Sequence, residues 1–326
     1  MTVALLAALV VFALQKIDVG RIDRALARVN AGWIAFACVL MAVAFLARAE
    51  SWFAVIRSAL PGDRIGRPPV IRALFIGMAG STVAPGRLGE AARVLVVARH
   101  ATTETGRALA TITGTVLAQT ALNLIALVVL AAVALGAGAI PGTRTGGLIA
   151  VLAVPLLIVL ALAASQAILR TGERAERLPR PLAWIVRQVV AARNGLRVFG
   201  EPRGAVHAAA MQLAAWAMQW ACCYGVLLAL GLPHRAGVAA AAVLLAVNVT
   251  SIVPITPSNV GVFQAACIAA LAAFGVSSAR GLAYGLLLQA IEVTVALALG
   301  IPSLLREGIS VAQLRELTAG GRESDR

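Results

Sequence analysis

Ser81-Thr82-Val83-Ala84-Pro85-Gly86-Arg87-Leu88-Gly89-Glu90-Ala91-Ala92-Arg93 interrupts a long hydrophobic approach, and the apolar pattern resumes directly after it, through residues 94–98. Pro85 removes a backbone donor, while Gly86 and Gly89 open dihedrals closed to other residues, so the backbone is expected to break here. Broken backbone at membrane depth survives only where it faces protein or a wet cavity. Charges placed at such a break are functional candidates by default.

The rest of the chain makes membrane depth the relevant setting. Of 326 residues, 60% are hydrophobic and 13% charged, with a mean hydropathy of +0.91. A soluble core needs far more polar surface, so the composition specifies an all-α, polytopic membrane protein. Unbroken apolar runs at 115–140 and 148–169 lack the alternation of a β-barrel strand. The net charge of +14 lies almost entirely between the apolar runs, where Arg residues set topology and hold anionic headgroups. No zinc-finger spacing or aromatic-basic platform points to nucleic acid. Cys38, Cys222, Cys223 and Cys267 all sit inside apolar stretches and read as small buried hydrophobes. The three His residues are scattered, so neither a metal set nor any cofactor site is expected.

The expected organisation is a single transmembrane domain over 1–326, with halves at 1–169 and 204–305. A short first helix covers about 2–15, read as an uncleaved membrane segment. A second runs from Trp33 to about Leu60, a loop spans 61–69, and the interrupted element occupies about 70–99. Long apolar helices follow at about 106–135 and 147–169. The connector, 170–203, carries Ile185, Val189, Ala192, Leu196 and Phe199 on one helical face and Arg187, Arg193 and Arg197 on the other, the pattern of an interfacial amphipathic helix. Beyond it come helices at about 204–230, 237–253 and 282–305, a half-length run reaching Phe274, and a polar tail over 306–326.

A second break answers the first. Pro254-Ile255-Thr256-Pro257-Ser258-Asn259-Val260-Gly261 halts an apolar run, and its Pro-x-x-aliphatic-Gly core, 257–261, matches 85–89. Broken helices in corresponding positions of two halves are the best sequence pointer to a transport site. The distribution of Arg residues gives the two units opposite orientations, with both flanks of the first break, the connector and the tail cytoplasmic. Lys16, Arg21, Arg24 and Arg28 run against that scheme and leave the first helix unassigned.

Arg87, Glu90 and Arg93 stand three residues apart, so a helix from Leu88 onward pairs Glu90 with Arg93. Two readings are open: a topology-setting pair near the interface, or a phosphate site built from the helix N-terminus, Arg87 and Arg93. Glu292 lies about midway along the last helix, with Gln289 on its face. It is either a functional carboxylate or glue paired to an Arg of the other half. Arg48 and Glu50 are expected deep in their helix, with Arg48 a partner for a buried carboxylate. Asn248, Ser258, Asn259 and Gln264 either cap backbone freed by Pro254, Pro257 and Gly261 or meet a ligand. Gln119 and Asn123 read as interhelical glue, and the five Trp residues as interface-belt candidates. No catalytic constellation is present.

At these residues the chain resembles the lysylphosphatidylglycerol synthase transmembrane family, whose members are described as flippase-like, and is similar to the membrane half of the multiple peptide resistance factors. Pro85, Arg87, Gly89, Glu90 and Arg93 match the family's first signature, with Ser81 standing where it has Asn. Its second signature, Pro-x-Thr-Pro-Gly-Gly-x-Gly-x-Phe-Glu, reads here as 254–264 with Ser258 and Asn259 for two glycines and Gln264 for the Glu. The resemblance implies a protein of the bacterial cytoplasmic membrane that binds or moves phospholipids, anionic ones foremost, or lipid-linked molecules between leaflets. The family's transferring members carry a further soluble domain, so lysyl transfer by this polypeptide alone is not expected. Two alternatives stay open: an accessory subunit acting with a separate lipid-modifying enzyme, and a small-solute or ion carrier. Either is compatible with a homo-oligomer.

Overall fold

The computed structural model describes residues 29–83, 88–136, 195, 197–232, 235–250 and 259–308. Among them are eight α-helices and no strand: α1 (Ala31–Ala59), α2 (Arg67–Val83), α3 (Leu88–Ala98), α4 (Thr105–Gly136), α5 (Pro202–Ala229), α6 (Ala236–Thr250), α7 (Val262–Ala272) and α8 (Ser278–Arg306). The first helix, the run at 147–169 and most of the connector lie outside the described residues, as does the tail beyond Gly308.

Helices α1, α4 and α8 are long and apolar enough to cross a membrane. At 1.5 Å per residue a helix of 29 residues reaches about 43 Å, well over a hydrocarbon core of about 30 Å. By contrast α3 and α7 have 11 residues each, which gives about 16 Å and half a crossing.

The long helices form an antiparallel frame. Asn30 caps α1, its side chain accepting from the backbone N–H of Gly32 at 2.9 Å and of Trp33 at 3.3 Å, and its own N–H donates to the carbonyl of Ala229 at 3.1 Å. At the other end Ser58 donates to Glu201 at 3.0 Å. The start of α1 therefore meets the end of α5, and the reverse. Helix α8 packs its first half on α7, where Gly285 faces Cys267 and Gln264, and its second half on α2, where Gly300 faces Phe75 and Ala79.

The two broken elements are helical hairpins set against this frame. In the first, Gly77 and Gly80 of α2 meet Gly89 of α3, an antiparallel contact joined through 84–87. A Cβ on Gly89 would lie 1.9 Å from the Gly77 carbonyl oxygen and 2.3 Å from Ser81 Oγ, so the two backbones touch as small-residue helix pairs do in lipid. Gly89→Ala is expected to cost about 2–3 kcal/mol, the upper part of the range for overpacking. Its readout is a lower midpoint of thermal unfolding in detergent; an unchanged midpoint would rule out the close approach.

The mouth of this hairpin opens at the end of the bundle shared by the C-termini of α1 and α8. Arg67 of α2 pairs with Glu50 at 3.1 Å, Arg72 with Glu307 at 2.5 Å, and His100, just beyond α3, lies 3.5 Å from Glu307. The second hairpin opens at the other end. The start of α6 lies by α5, with Trp220 donating to the Gly237 carbonyl at 2.9 Å, and Ala239 and Leu271 share a cavity with Gly231 and Ser277.

Asp63 ties the α1–α2 turn to the segment after α3. It accepts from the backbone N–H of Thr102 at 2.9 Å and of Thr103 at 3.1 Å, and from both hydroxyls. Its slight burial pushes the carboxyl up, but these four bonds outweigh it and hold Asp63 below the usual carboxylate range. A depressed folded-state value means that stability is fully present above the unfolded pKa of about 3.9 and is lost as pH falls through the lower folded one. Asp63→Asn is therefore expected to flatten the fall of stability with acid below about pH 4, as followed by urea or thermal unfolding across pH. An unaltered profile would remove Asp63 from that account.

Four expectations change. Pro68 and Pro69 belong to the first turn of α2, where a missing N–H costs nothing. Residues 197–200 form a 3-10 turn that buries Val198 while Phe199 is exposed, so the apolar face assigned to the connector does not reach its end. Trp52 and Trp216 are buried in the bundle and belong to no interface belt, whereas Trp33 and Trp220 are exposed. Glu50 sits at the charged end with Arg67 and His207, away from Arg48.

Candidate functional site

Helical spacing on α3 puts Glu90 and Arg93 on one face, and they form an ion pair. Glu90 also lies in the first turn of α3, where a carboxylate complements the helix dipole. Arg93 is only 7% exposed. Its guanidinium stacks 4.7 Å above the centroid of the Trp52 ring, a cation–π contact strengthened by desolvation. The Trp52 indole N–H donates to Thr115 Oγ1 at 2.9 Å, which fixes the ring. Arg93 Nη1 donates to Gln119 Oε1 at 2.8 Å, and Gln119 Nε2 donates to the Arg48 carbonyl at 3.3 Å. Arg48 in turn donates from Nη2 to Gln219 Oε1 at 2.8 Å. One network thus runs through α3, α4, α1 and α5. Two donors in it are buried without a hydrogen-bond partner, Arg48 Nε and Arg93 Nε.

Glu292, on α8, stands outside these hydrogen bonds. It is half-buried and has no hydrogen bond or ion pair among the described residues, yet its charge and that of Arg48 act on each other. Arg48 also feels Arg93 and Glu90. On α8 Glu292 lies between Gly285, which packs on Gln264 of α7, and Gly300, which packs on Ala79 of α2.

On the α7 side the polar groups are neutral. Gln264 Oε1 accepts from the Gly261 N–H at 2.7 Å, and Gln264 Nε2 donates to Gln289 Oε1. Asn259 and Gly261 hold φ of +51° and +88°, left-handed backbone that Asn tolerates and Gly adopts freely. Asn259 Oδ1 is buried and accepts no hydrogen bond. Asn248 donates to Leu244 within its own helix at 2.8 Å.

The structure thus brings Arg48, Glu90 and Arg93 together, places Glu292 beside them electrostatically, and gathers Gln264, Gln289, Asn259 and Gly261 at the start of α7. Gly89 serves the α2–α3 contact. Pro85, Gly86, Arg87, Pro254, Pro257 and Ser258 lie outside the described residues. Gln119 belongs to the network as the interhelical glue its sequence suggested, bonding to α3 and α1, while Gln219 and Trp52 belong to it although the sequence reading assigned them elsewhere or passed them over. The signal for Gln119 and Gln219 was an amide in the middle of an apolar run. Asn123 does act as interhelical glue, accepting from Gln212 and from the Trp216 indole N–H.

The family model described as the lysylphosphatidylglycerol synthase TM region matches residues 1–300. The chain belongs to that family. No curated protein sequence matches it. Membership and three membrane-length apolar helices make this a membrane protein of a family named for lipid modification, and the Arg-Leu-Gly-Glu-Ala-Ala-Arg stretch at 87–93 of the family's region contributes the Glu90–Arg93 pair.

Proposed function

We propose that the protein binds a phospholipid or lipid-linked molecule between its two hairpins and moves it from one leaflet to the other. The observation that carries this reading is the pair of arginines, Arg48 and Arg93, held inside a membrane bundle with donors left open. Burying such charge is costly, and a phosphodiester is the ligand that would use it. In this reading Arg93, together with Arg87, takes the phosphate, Glu90 aims Arg93, and Glu292 balances charge as the headgroup passes. The halves act as inverted repeats with re-entrant hairpins, alternately opening to each side. The charged end carrying Arg57, Arg67, Arg72 and Arg306 faces the cytoplasm by the positive-inside rule.

The test is translocation of a headgroup-labelled phospholipid in proteoliposomes, read by quenching of label exposed on the outer leaflet. Protein-containing vesicles are expected to equilibrate the label faster than protein-free ones, and Arg87→Ala to slow that rate roughly tenfold, the worth of one charge-assisted hydrogen bond. Equal rates with and without protein would end the proposal.

A further inference from the structure

A cavity of about 890 Å³ lies at the charged end of the bundle, apart from the central cluster. The C-terminal part of α1, the N-terminus of α2, the 3-10 turn and the N-terminus of α5 enclose it. Four guanidinium groups line it, from Arg57, Arg67, Arg197 and Arg203, against two carboxylates, Glu50 and Glu201. Both carboxylates are already engaged. Glu50 holds Arg67 at 3.1 Å and lies 3.4 Å from His207, and Glu201 accepts from Ser58. The side chains of Arg57, Arg197 and Arg203 have neither an ion pair nor a hydrogen bond among the described residues.

The backbone adds to this excess. Glu201 is the N-cap of α5 but makes no side-chain cap bond, and Pro202 follows it without an N–H to offer. The first-turn donors of a 28-residue helix therefore remain directed outward beside Gly204, at the positive end of its dipole. The remaining walls, Phe53, Ala54 and Pro61, are apolar. Exposed guanidinium groups without a partner among the described residues, an open helix N-terminus and an apolar flank together match a phosphate ester with a carbon chain attached.

We infer that this cavity binds a phosphate ester through Arg57, Arg197 and Arg203, as a site distinct from the Arg48–Arg93 cluster. The reading does not depend on translocation, because none of its residues belongs to that cluster.

Native mass spectrometry of the detergent-purified protein, titrated separately with phosphatidylglycerol, phosphatidylcholine and inorganic phosphate, tests it. The wild type is expected to retain one more phosphatidylglycerol than the combined Arg57→Gln, Arg197→Gln, Arg203→Gln variant, whose affinity for that lipid falls about a hundredfold. Glu50→Gln removes negative charge from the cavity and is expected to tighten binding several-fold, an effect that damage to the fold would not produce. Inorganic phosphate displacing the extra lipid at comparable concentration would keep the site and make its ligand a free phosphate; lipid retained against phosphate would make it a headgroup. Equal retention of phosphatidylglycerol by wild type and the triple variant would overturn the inference, as would weaker binding by Glu50→Gln or no preference over phosphatidylcholine.

Discussion

Glu90→Gln is expected to lower the stability of the protein by about 2–3 kcal/mol and its lipid translocation to roughly one-hundredth. The substitution keeps shape and removes charge, leaving the Arg93 guanidinium without its only ion-pair partner among the described residues. Breaking a fully sealed pair costs about 3–5 kcal/mol. The lower figure applies because the Glu90 side chain is 43% exposed, while Arg93 retains Gln119 and the face of Trp52. Arg93→Met should be milder, about 1 kcal/mol, since the stranded Glu90 still reaches polar surroundings and a flexible apolar side chain fills the space over Trp52. The double variant then discriminates between scaffold and site. Replacing both members of a buried pair is close to neutral for folding, so Glu90→Gln with Arg93→Met should recover most of the lost stability and none of the transport. Thermal unfolding and proteoliposome assays on the same preparations give the non-additivity directly. Recovery of transport along with stability would reduce the pair to a packing device.

How much of this could be read from the chain differs by feature. The Glu90–Arg93 pair was legible because helical spacing is local, while the segments 84–87 and 251–258, where breaks were expected, lie outside the described residues. The extent of α1, α4, α5 and α8 followed from apolar runs within a few residues. What local rules cannot supply is which neighbour covers a given face. Arg48 and Glu50 share a helix two residues apart, a rotation of about 200°, so one points into the bundle toward Gln219 and the other out to Arg67 and His207. Trp52 looks like a belt residue until α3 and α4 are placed on either side of it. Gln119 was legible as interhelical glue, but not that its partner would be a buried arginine. Gln264 was half legible: capping was one of its two readings and its amide oxygen does accept from the Gly261 N–H, while the partner of its other end, Gln289 on α8, was not.

Glu292→Gln is expected to separate stability from function in the opposite sense, leaving the fold at least as stable as wild type while reducing translocation to near the protein-free rate. The carboxylate lies in the middle of α8 with no hydrogen bond or ion pair among the described residues, and its interaction with Arg48 acts over a distance. A charged side chain at the centre of a membrane helix is unfavourable by about 2.5–3.5 kcal/mol on insertion scales, and a long-range partner offsets only part of that. The isosteric amide removes the cost, so a rise in unfolding midpoint equivalent to about 1 kcal/mol is reasonable, in the manner of sites where stability is given up for function. Arg48→Met is the companion experiment. It removes the hydrogen bond to Gln219 and a positive charge that acts on Glu292, and should destabilise the wild type more than it destabilises Glu292→Gln. If Glu292→Gln instead unfolds at a lower temperature and Arg48→Met adds nothing further to that loss, the two residues form a structural ion pair, and the charge that moves with the lipid must be sought at Glu90 alone.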